Sequence, residues 1–261
     1  GLFLKSEDKT LLLVDQQKDE IKDIFEAATE LKNKYPLEII KDNCEFTHLN
    51  KTICEFTGMY SVYKNYPLKD YIGFCQYRRY FSFYNNLPNI KQIFQTNDIV
   101  IGKPIPIRYN MAEHYNKYHN LNDLSKIINI CYKQYPEYVE TIKNTLKSHY
   151  IYACNIFIMK KEDFKKYCEF ISNIISEYIK QENLTTYDDC IKKVENDTEH
   201  YIKKSGPNKS VDYQSRFLAY LIERLTNIYI LHNFHKAYIV DIVETSQKYG
   251  YNLFKKMKDE D

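Results

Sequence analysis

Short apolar runs alternate with longer amphipathic stretches along most of the chain. Leu11-Leu-Leu-Val14, bounded by polar residues, has the length of a buried strand. Ile21, Ile24, Phe25, Ala28 and Leu31 then recur at helical spacing over 19–34, Pro36 stops that helix, and residues 37–40 predict a second strand. Strand, helix and strand in such close succession make a βαβ unit, which favours a parallel sheet with a ligand site at the strands' carboxyl ends. A second helix is predicted over 51–66, with Ile53, Phe56, Tyr60 and Tyr63 as its apolar stripe, Glu55 at the stripe's edge and Pro67 as its stop. Residues 71–75 predict a strand that runs into a Gln-Tyr-Arg-Arg-Tyr-Phe turn. A short helix over 90–95 precedes another strand over 98–101. Helical patterning fills 110–148 with a break near Pro136. Residues 152–159 predict a central strand, 161–180 an amphipathic helix, 212–233 a last long helix and 237–243 a further strand. The polar segment 181–210, which contains Gly206-Pro207, predicts an exposed insertion.

Composition changes this α/β picture little. The chain has 261 residues, 44% hydrophobic and 28% charged, ordinary for a soluble globular domain. Tyrosine stands out, with 26 residues beside 14 Phe and no Trp. Its amphipathic ring suits polar, sugar-lined clefts as well as cores, although a coding bias that also raises Lys, Ile and Asn has the same effect. The net charge of +2 gives no global drive toward nucleic acid, so any anion site must be local. Seven cysteines, scattered and never in Cys-x-x-Cys spacing, point to reduced thiols in a cytosolic protein rather than to a disulfide frame or a zinc site. No apolar run is long enough to span a bilayer and no charged-then-apolar leader opens the chain, so a soluble or peripheral protein is expected. The opening Gly1 points to a trimmed or tagged start.

Candidate chemistry gathers at two places. Tyr77-Arg78-Arg79-Tyr80 follows a strand, which puts these side chains at a sheet's carboxyl rim. Two adjacent arginines there suit an oxyanion, because guanidinium forks match phosphate oxygens; the alternative is a surface pair bridging to acidic neighbours. On the last helix, Asp212, Arg216, Tyr220, Glu223 and Asn227 share one face of an otherwise apolar cylinder. Such a stripe faces either water or a polar cleft, and in a cleft Glu223 or Asp212 could serve as a general base. Glu55 is placed to pair with an arginine of the turn or to bind sugar hydroxyls. His119 is either a phosphate donor or a satisfied structural residue, and Asn155 either binds a sugar hydroxyl or completes a strand end. His114, His149, His232 and His235 have no metal-ligand spacing and are assigned no role.

These residues carry a resemblance. A family of bacterial capsule and O-antigen biosynthesis proteins is marked by a strand leading into His-Tyr-Arg-Arg-Tyr-Phe, preceded by a Glu-Leu-Thr-Gly-Leu-Tyr-Trp-x-Trp-Lys-Asn helix. The chain is similar to it at Cys54-Glu-Phe-Thr-Gly-Met-Tyr-Ser-Val-Tyr-Lys-Asn65 and at Tyr71-Ile-Gly-Phe-Cys-Gln-Tyr-Arg-Arg-Tyr-Phe81. Further matches are Asn97 to Lys103, His114 to His119, Asn155 to Lys160, and Arg216 with Glu223-Arg-Leu-Thr-Asn227, all in order across 45–235. Two departures stand out: Gln76 replaces the family's His, and Asp15-Gln-Gln17 replaces a Thr-His-Lys-like turn.

The resemblance implies a nucleotide-sugar-dependent hexosyltransferase of the GT-A type. Its expected form is a Rossmann-type central mixed sheet flanked by helices, with a helical C-terminal part. It would be a single domain over 1–243 with a donor half over 1–108, an acceptor half over 109–243 and a polar tail over 244–261. Many relatives of that type end a strand in an Asp-x-Asp turn that holds a divalent metal on the donor diphosphate. No Asp-x-Asp occurs in this chain, and Gln-Tyr-Arg-Arg stands at the corresponding strand end. The expectation is therefore a metal-free, cofactor-free site in which Tyr77, Arg78, Arg79 and His119 bind the donor's diphosphate or nucleotide, since positioned cations stabilise developing phosphate charge as a metal does. Glu55, Asn155, Arg216 and Tyr220 would meet sugar or acceptor, with Glu223 or Asp212 as the base. The implied reaction moves a sugar, galactose or galactofuranose first among candidates, from a UDP-sugar to a free or lipid-linked glycan in capsule or lipopolysaccharide assembly. It would take place in the cytoplasm or peripherally at the inner membrane. A noncatalytic carbohydrate- or nucleotide-binding module of a larger synthase is the other reading.

Overall fold

The computed structural model describes strands Leu2–Lys5 (β1), Thr10–Asp15 (β2) and Glu38–Lys41 (β3), together with residues 43–76, 79–83, 88–202 and 210–244. The helix expected over 19–34, the dipeptide Tyr77-Arg78 and the polar tail past Glu244 lie outside these residues. Helices Asn50–Ile53 (α1) and Glu55–Asn65 (α2) are followed by strands Tyr71–Cys75 (β4) and Arg79–Phe81 (β5). Next come the short helix Ile90–Ile93 (α3) and strands Ile99–Gly102 (β6) and Ile105–Pro106 (β7). A helical block holds Met111–Tyr118 (α4), Leu121–Gln134 (α5) and Val139–Lys147 (α6), and a 3-10 turn at Pro136–Tyr138 makes the expected break. Strands Tyr150–Ile151 (β8) and Phe157–Lys160 (β9) lead into the long helix Lys161–Gln181 (α7). Helices Tyr187–Asn196 (α8), Thr198–Tyr201 (α9), Val211–Gln214 (α10) and Phe217–Asn233 (α11), then strands Ala237–Val240 (β10) and Ile242–Glu244 (β11), complete the described chain.

The main sheet is mixed, in the order β10-β6-β9-β4-β1-β2-β3. β2 and β3 pair in parallel, as a βαβ unit requires, and β10 pairs in parallel with β6. The remaining neighbours in the sheet are antiparallel, including β1, which the apolar pattern did not predict. Strict alternation sorts the sheet's two faces. Ile72, Phe74, Ile99, Ile101, Phe157 and Met159 enter the larger core, against Phe56 and Met59 of α2, Phe164 and Tyr167 of α7, and Leu218 and Leu221 of α11. Cys75, Val100, Ile158 and Val240 point the other way, into a smaller core closed by Tyr80 and Phe81 of β5 and by Ile90, Ile93 and Phe94 at α3. Both faces are covered, which explains why these strands read as unbroken apolar runs.

The expectations for three helical or polar segments need correction, and the strands over 152–159 and 237–243 are shorter, at Phe157–Lys160, and divided, into β10 and β11. The helix over 51–66 is broken at Cys54, whose φ of 56° and ψ of −131° turn the chain between α1 and α2. The helix over 212–233 is two, because Ser215 and Arg216 form a turn and Arg216 caps α11. The segment 181–210 is no exposed insertion along its first part: Leu184, Cys190, Val194 and Tyr201 are buried in the larger core. Its few apolar residues fall on one side of α8 and α9, where polar composition hides them. The signal for a helix was the Thr186-x-x-Asp189 capping box, whose carboxyl is held at about 2 by bonds from Thr185 and Thr186.

A buried polar knot ties that segment down. Asp123 of α5, fully buried, accepts hydrogen bonds from Tyr178 at 2.6 Å and from Tyr201, and Lys193 approaches it at 3.3 Å. Burial, then the Asp123 charge, pushes both phenols up, so they stay donors. Removing one partner of such a buried set leaves the others unpaired. Asp123→Ala is expected to cost about 3–5 kcal/mol in chemical denaturation, with α8 and α9 losing amide protection first.

Candidate active site

Parallel β4, β6 and β10 all end on one rim of the sheet, and the loop 152–156 enters antiparallel β9 at the same rim. A cleft of about 480 Å³ opens there between the sheet's edge, the start of α2, the end of α4 and the first two turns of α11. Its walls carry Glu55, Arg79, His119, Arg216, Tyr220 and Glu223 from the sequence expectations. Asn155 sits just beneath, buried, and donates to Glu55 Oε1 at 3.3 Å. Asp212 is not among the lining residues; it is exposed on α10, where Tyr187 donates to it at 3.4 Å. Tyr77 and Arg78 lie outside the described residues.

The polar stripe of α11 faces this cleft and its loop rather than water. Asn227 is fully buried and grips Tyr152 by both backbone groups, its Oδ1 accepting from the amide at 2.8 Å and its Nδ2 donating to the carbonyl at 2.9 Å. One turn earlier, Glu223 Oε1 accepts from the Cys154 amide at 2.7 Å. Between them they hold a loop in which both Cys154 and Asn155 have left-handed backbones, at φ 69° and 50°. Left-handed conformations cost a non-glycine residue free energy and persist only where the surroundings impose them. Cys54, at the opposite wall, is a third such residue, so strain is concentrated around the cleft.

Charge is arranged in layers. Arg224, buried at the base, donates to the second oxygen of Glu223 at 2.6 Å and lies 3.3 Å from His114 Nδ1 and 5.2 Å from the centre of the Tyr115 ring. Burial first, then the Arg224 charge, lowers the His114 pKa, which keeps that ring neutral and able to accept. Nearer the mouth stand Arg79, which donates to Gln76 Oε1 at 2.7 Å, and Arg216, whose guanidinium makes no hydrogen bond or ion pair among the described residues. Gln76 therefore anchors Arg79 through its amide oxygen. Tyr220 stacks on His119 with ring centres 4.1 Å apart and on Tyr213 at 5.4 Å, a flat aromatic wall beside the two arginines. Glu55 opens α2; burial, then the charge of Glu223, raises its carboxyl above the ordinary range, against bonds from its own backbone N–H and from Asn155.

Sequence reasoning missed Arg224, His114 and Cys154. Arg224 follows a predicted site residue and reads as part of a helix's charged surface, and His114 shows only the wrong spacing for a metal. Their roles come from tertiary packing. A second hollow of about 300 Å³, lined by Lys103, Pro104, Tyr152 and Ile242, adjoins the cleft across Arg79 and Cys154.

The comparisons with known proteins agree with this architecture. The family model described as "Domain of unknown function (DUF4422)" matches residues 14–196. No curated protein matches the chain. Among solved structures the fold is similar to the apo structure of WbbM, a bifunctional glycosyltransferase, with a TM-score of 0.62 and 23% identity over 80% of this chain. The match spans 39% of that longer chain, and at this identity the likeness is one of fold.

Two outcomes are expected. Cys54→Gly should stabilise the protein by about 1 kcal/mol in denaturant titrations, because glycine adopts the observed backbone without strain. A carboxyl whose folded pKa is raised contributes stability at low pH and loses it as the pH rises above its unfolded value, here 4.5. Glu55→Gln should therefore have the higher Tm at neutral pH, and its advantage over the parent should shrink toward pH 4.5.

Proposed function

The chain belongs to the family described as domain of unknown function DUF4422, and we propose that it is a glycosyltransferase moving a sugar from a nucleotide diphosphate donor to a glycan hydroxyl. The observation that carries this reading is the pairing of Arg79 and Arg216 at the mouth of a cleft that also holds two carboxylates and an aromatic wall. Guanidinium groups match diphosphate oxygens and hold fixed positive charge where the leaving group develops negative charge. Stacked Tyr220 and His119 offer a face for a sugar or base. Glu55 and Glu223 supply hydrogen-bond acceptors for sugar hydroxyls and a choice of proton acceptor. The fold's likeness to a glycosyltransferase adds support at the level of architecture.

The arginines do the work that a divalent metal on an acidic pair does in many transferases, so the reaction proceeds without one. UDP-galactose and UDP-galactofuranose are the first donors to test, with a free or lipid-linked glycan of capsule or lipopolysaccharide type as acceptor. Among the described residues no helix is long and apolar enough to cross a membrane.

A panel of UDP-sugars, read as released UDP, tests the reading. Turnover of at least one is expected, and donor binding without turnover would make the protein a binding module instead. Arg79→Ala and Arg216→Ala should each weaken UDP binding by about tenfold or more, the value of a lost hydrogen bond to a charged group. Turnover should survive exhaustive chelation; its complete loss in chelator, restored by Mg2+ or Mn2+, would overturn the metal-free account.

A further inference from the structure

Resting on the transferase reading, we propose that Glu55 is the group that takes the proton from the acceptor hydroxyl, and that Glu223 is a positioning residue holding the loop beside it. The two carboxylates share a cleft but differ in how they are used. Both oxygens of Glu223 are engaged, one by the Cys154 amide at 2.7 Å and one by buried Arg224 at 2.6 Å. Protonating it would sacrifice two charge-assisted bonds and release a loop with two left-handed residues. Among the described residues Glu55 has one longer side-chain bond, 3.3 Å from Asn155 Nδ2, and faces the cleft.

Asn155 supplies the second observation. Among the described residues its buried Oδ1 has no hydrogen-bond partner, an arrangement that calls for an explanation. An amide offers a donor at one end and an acceptor at the other. The carboxylate of Glu55 takes the Nδ2 donor; once it holds a proton, its O–H can donate to Oδ1 after the amide turns over. The pair can thus satisfy Glu55 in both protonation states, which a base in turnover needs and a structural carboxylate does not.

Charge around Glu55 is consistent with this role. Glu223 and Arg224 face it from α11, Arg216 from that helix's cap, Cys54 from the preceding turn, and Arg79, His114 and His119 from across the cleft. Burial and the Glu223 charge raise its pKa, while Asn155 and its own backbone N–H hold the carboxylate form within reach. A base poised above the surface-carboxylate range takes a hydroxyl proton more readily. In the step, the acceptor O–H bond breaks and its proton passes to Glu55. The acceptor oxygen then bonds the donor's anomeric carbon, and the anomeric C–O bond breaks with its electron pair leaving on the nucleoside diphosphate.

The test uses the full chain and the UDP-sugar that the wild type turns over fastest. Glu55→Gln should lower kcat about 100-fold or more, leave UDP binding by calorimetry unchanged, and remove the acid limb of the kcat/KM profile. Glu223→Gln should lower the Tm and raise KM while keeping that limb. If Glu55→Gln keeps turnover within about tenfold of wild type with the limb intact, the Glu55 assignment fails and the transferase reading stands. If the wild type turns over no UDP-sugar, both fail. Should the Gln variant not fold, Glu55→Asp decides: a limb with its midpoint moved supports the assignment, and one unmoved overturns it.

Discussion

The structure depends on one contact, the grip of α11 on the loop that enters β9. Glu223 and Asn227, one turn apart, take three backbone groups of residues 152–154. That loop has to bend through two left-handed residues to bring its backbone to the sheet's carboxyl rim. The grip favours that bend over a relaxed one. With it, Asn155 is placed under Glu55, Cys154 forms the wall between the two hollows, and the rim becomes a cleft instead of an edge. Arg224 completes the arrangement from beneath, balancing Glu223 while polar partners and the Tyr115 face share its own charge.

Much of this was legible in the sequence. Residues 71–75 and 161–180 gave strand and helix nearly to the residue, the first as a short apolar run and the second through a long, uninterrupted 3.6-residue period. The breaks at Cys54 and Ser215-Arg216 were not legible, since neither holds Gly or Pro; each bend is imposed by tertiary packing on residues that look helical. Helices α8 and α9 were hidden for a different reason. Their buried face is only a few apolar residues wide, and the knot around Asp123 supplies the rest with polar atoms.

At the site, spacing alone brought Arg216, Tyr220, Glu223 and Asn227 to one face, and that face meets the cleft. The same reasoning placed Asp212 with them, which fails because the turn at 215–216 rotates α10 away from the register of α11. Whether a carboxylate is free to take a proton or already committed is a matter of partners at 2.6–2.7 Å. No linear pattern carries that information, which is why the base we propose is Glu55 and not one of the carboxylates that spacing pointed to.

We propose that this cleft holds a sugar nucleotide with its diphosphate on Arg79 and Arg216. A crystal structure with a UDP-sugar bound tests it most directly. Diphosphate oxygens are expected within hydrogen-bond distance of both guanidinium groups, with the sugar over Glu55 and Tyr220. A donor bound elsewhere, with neither arginine touching phosphate, would contradict it.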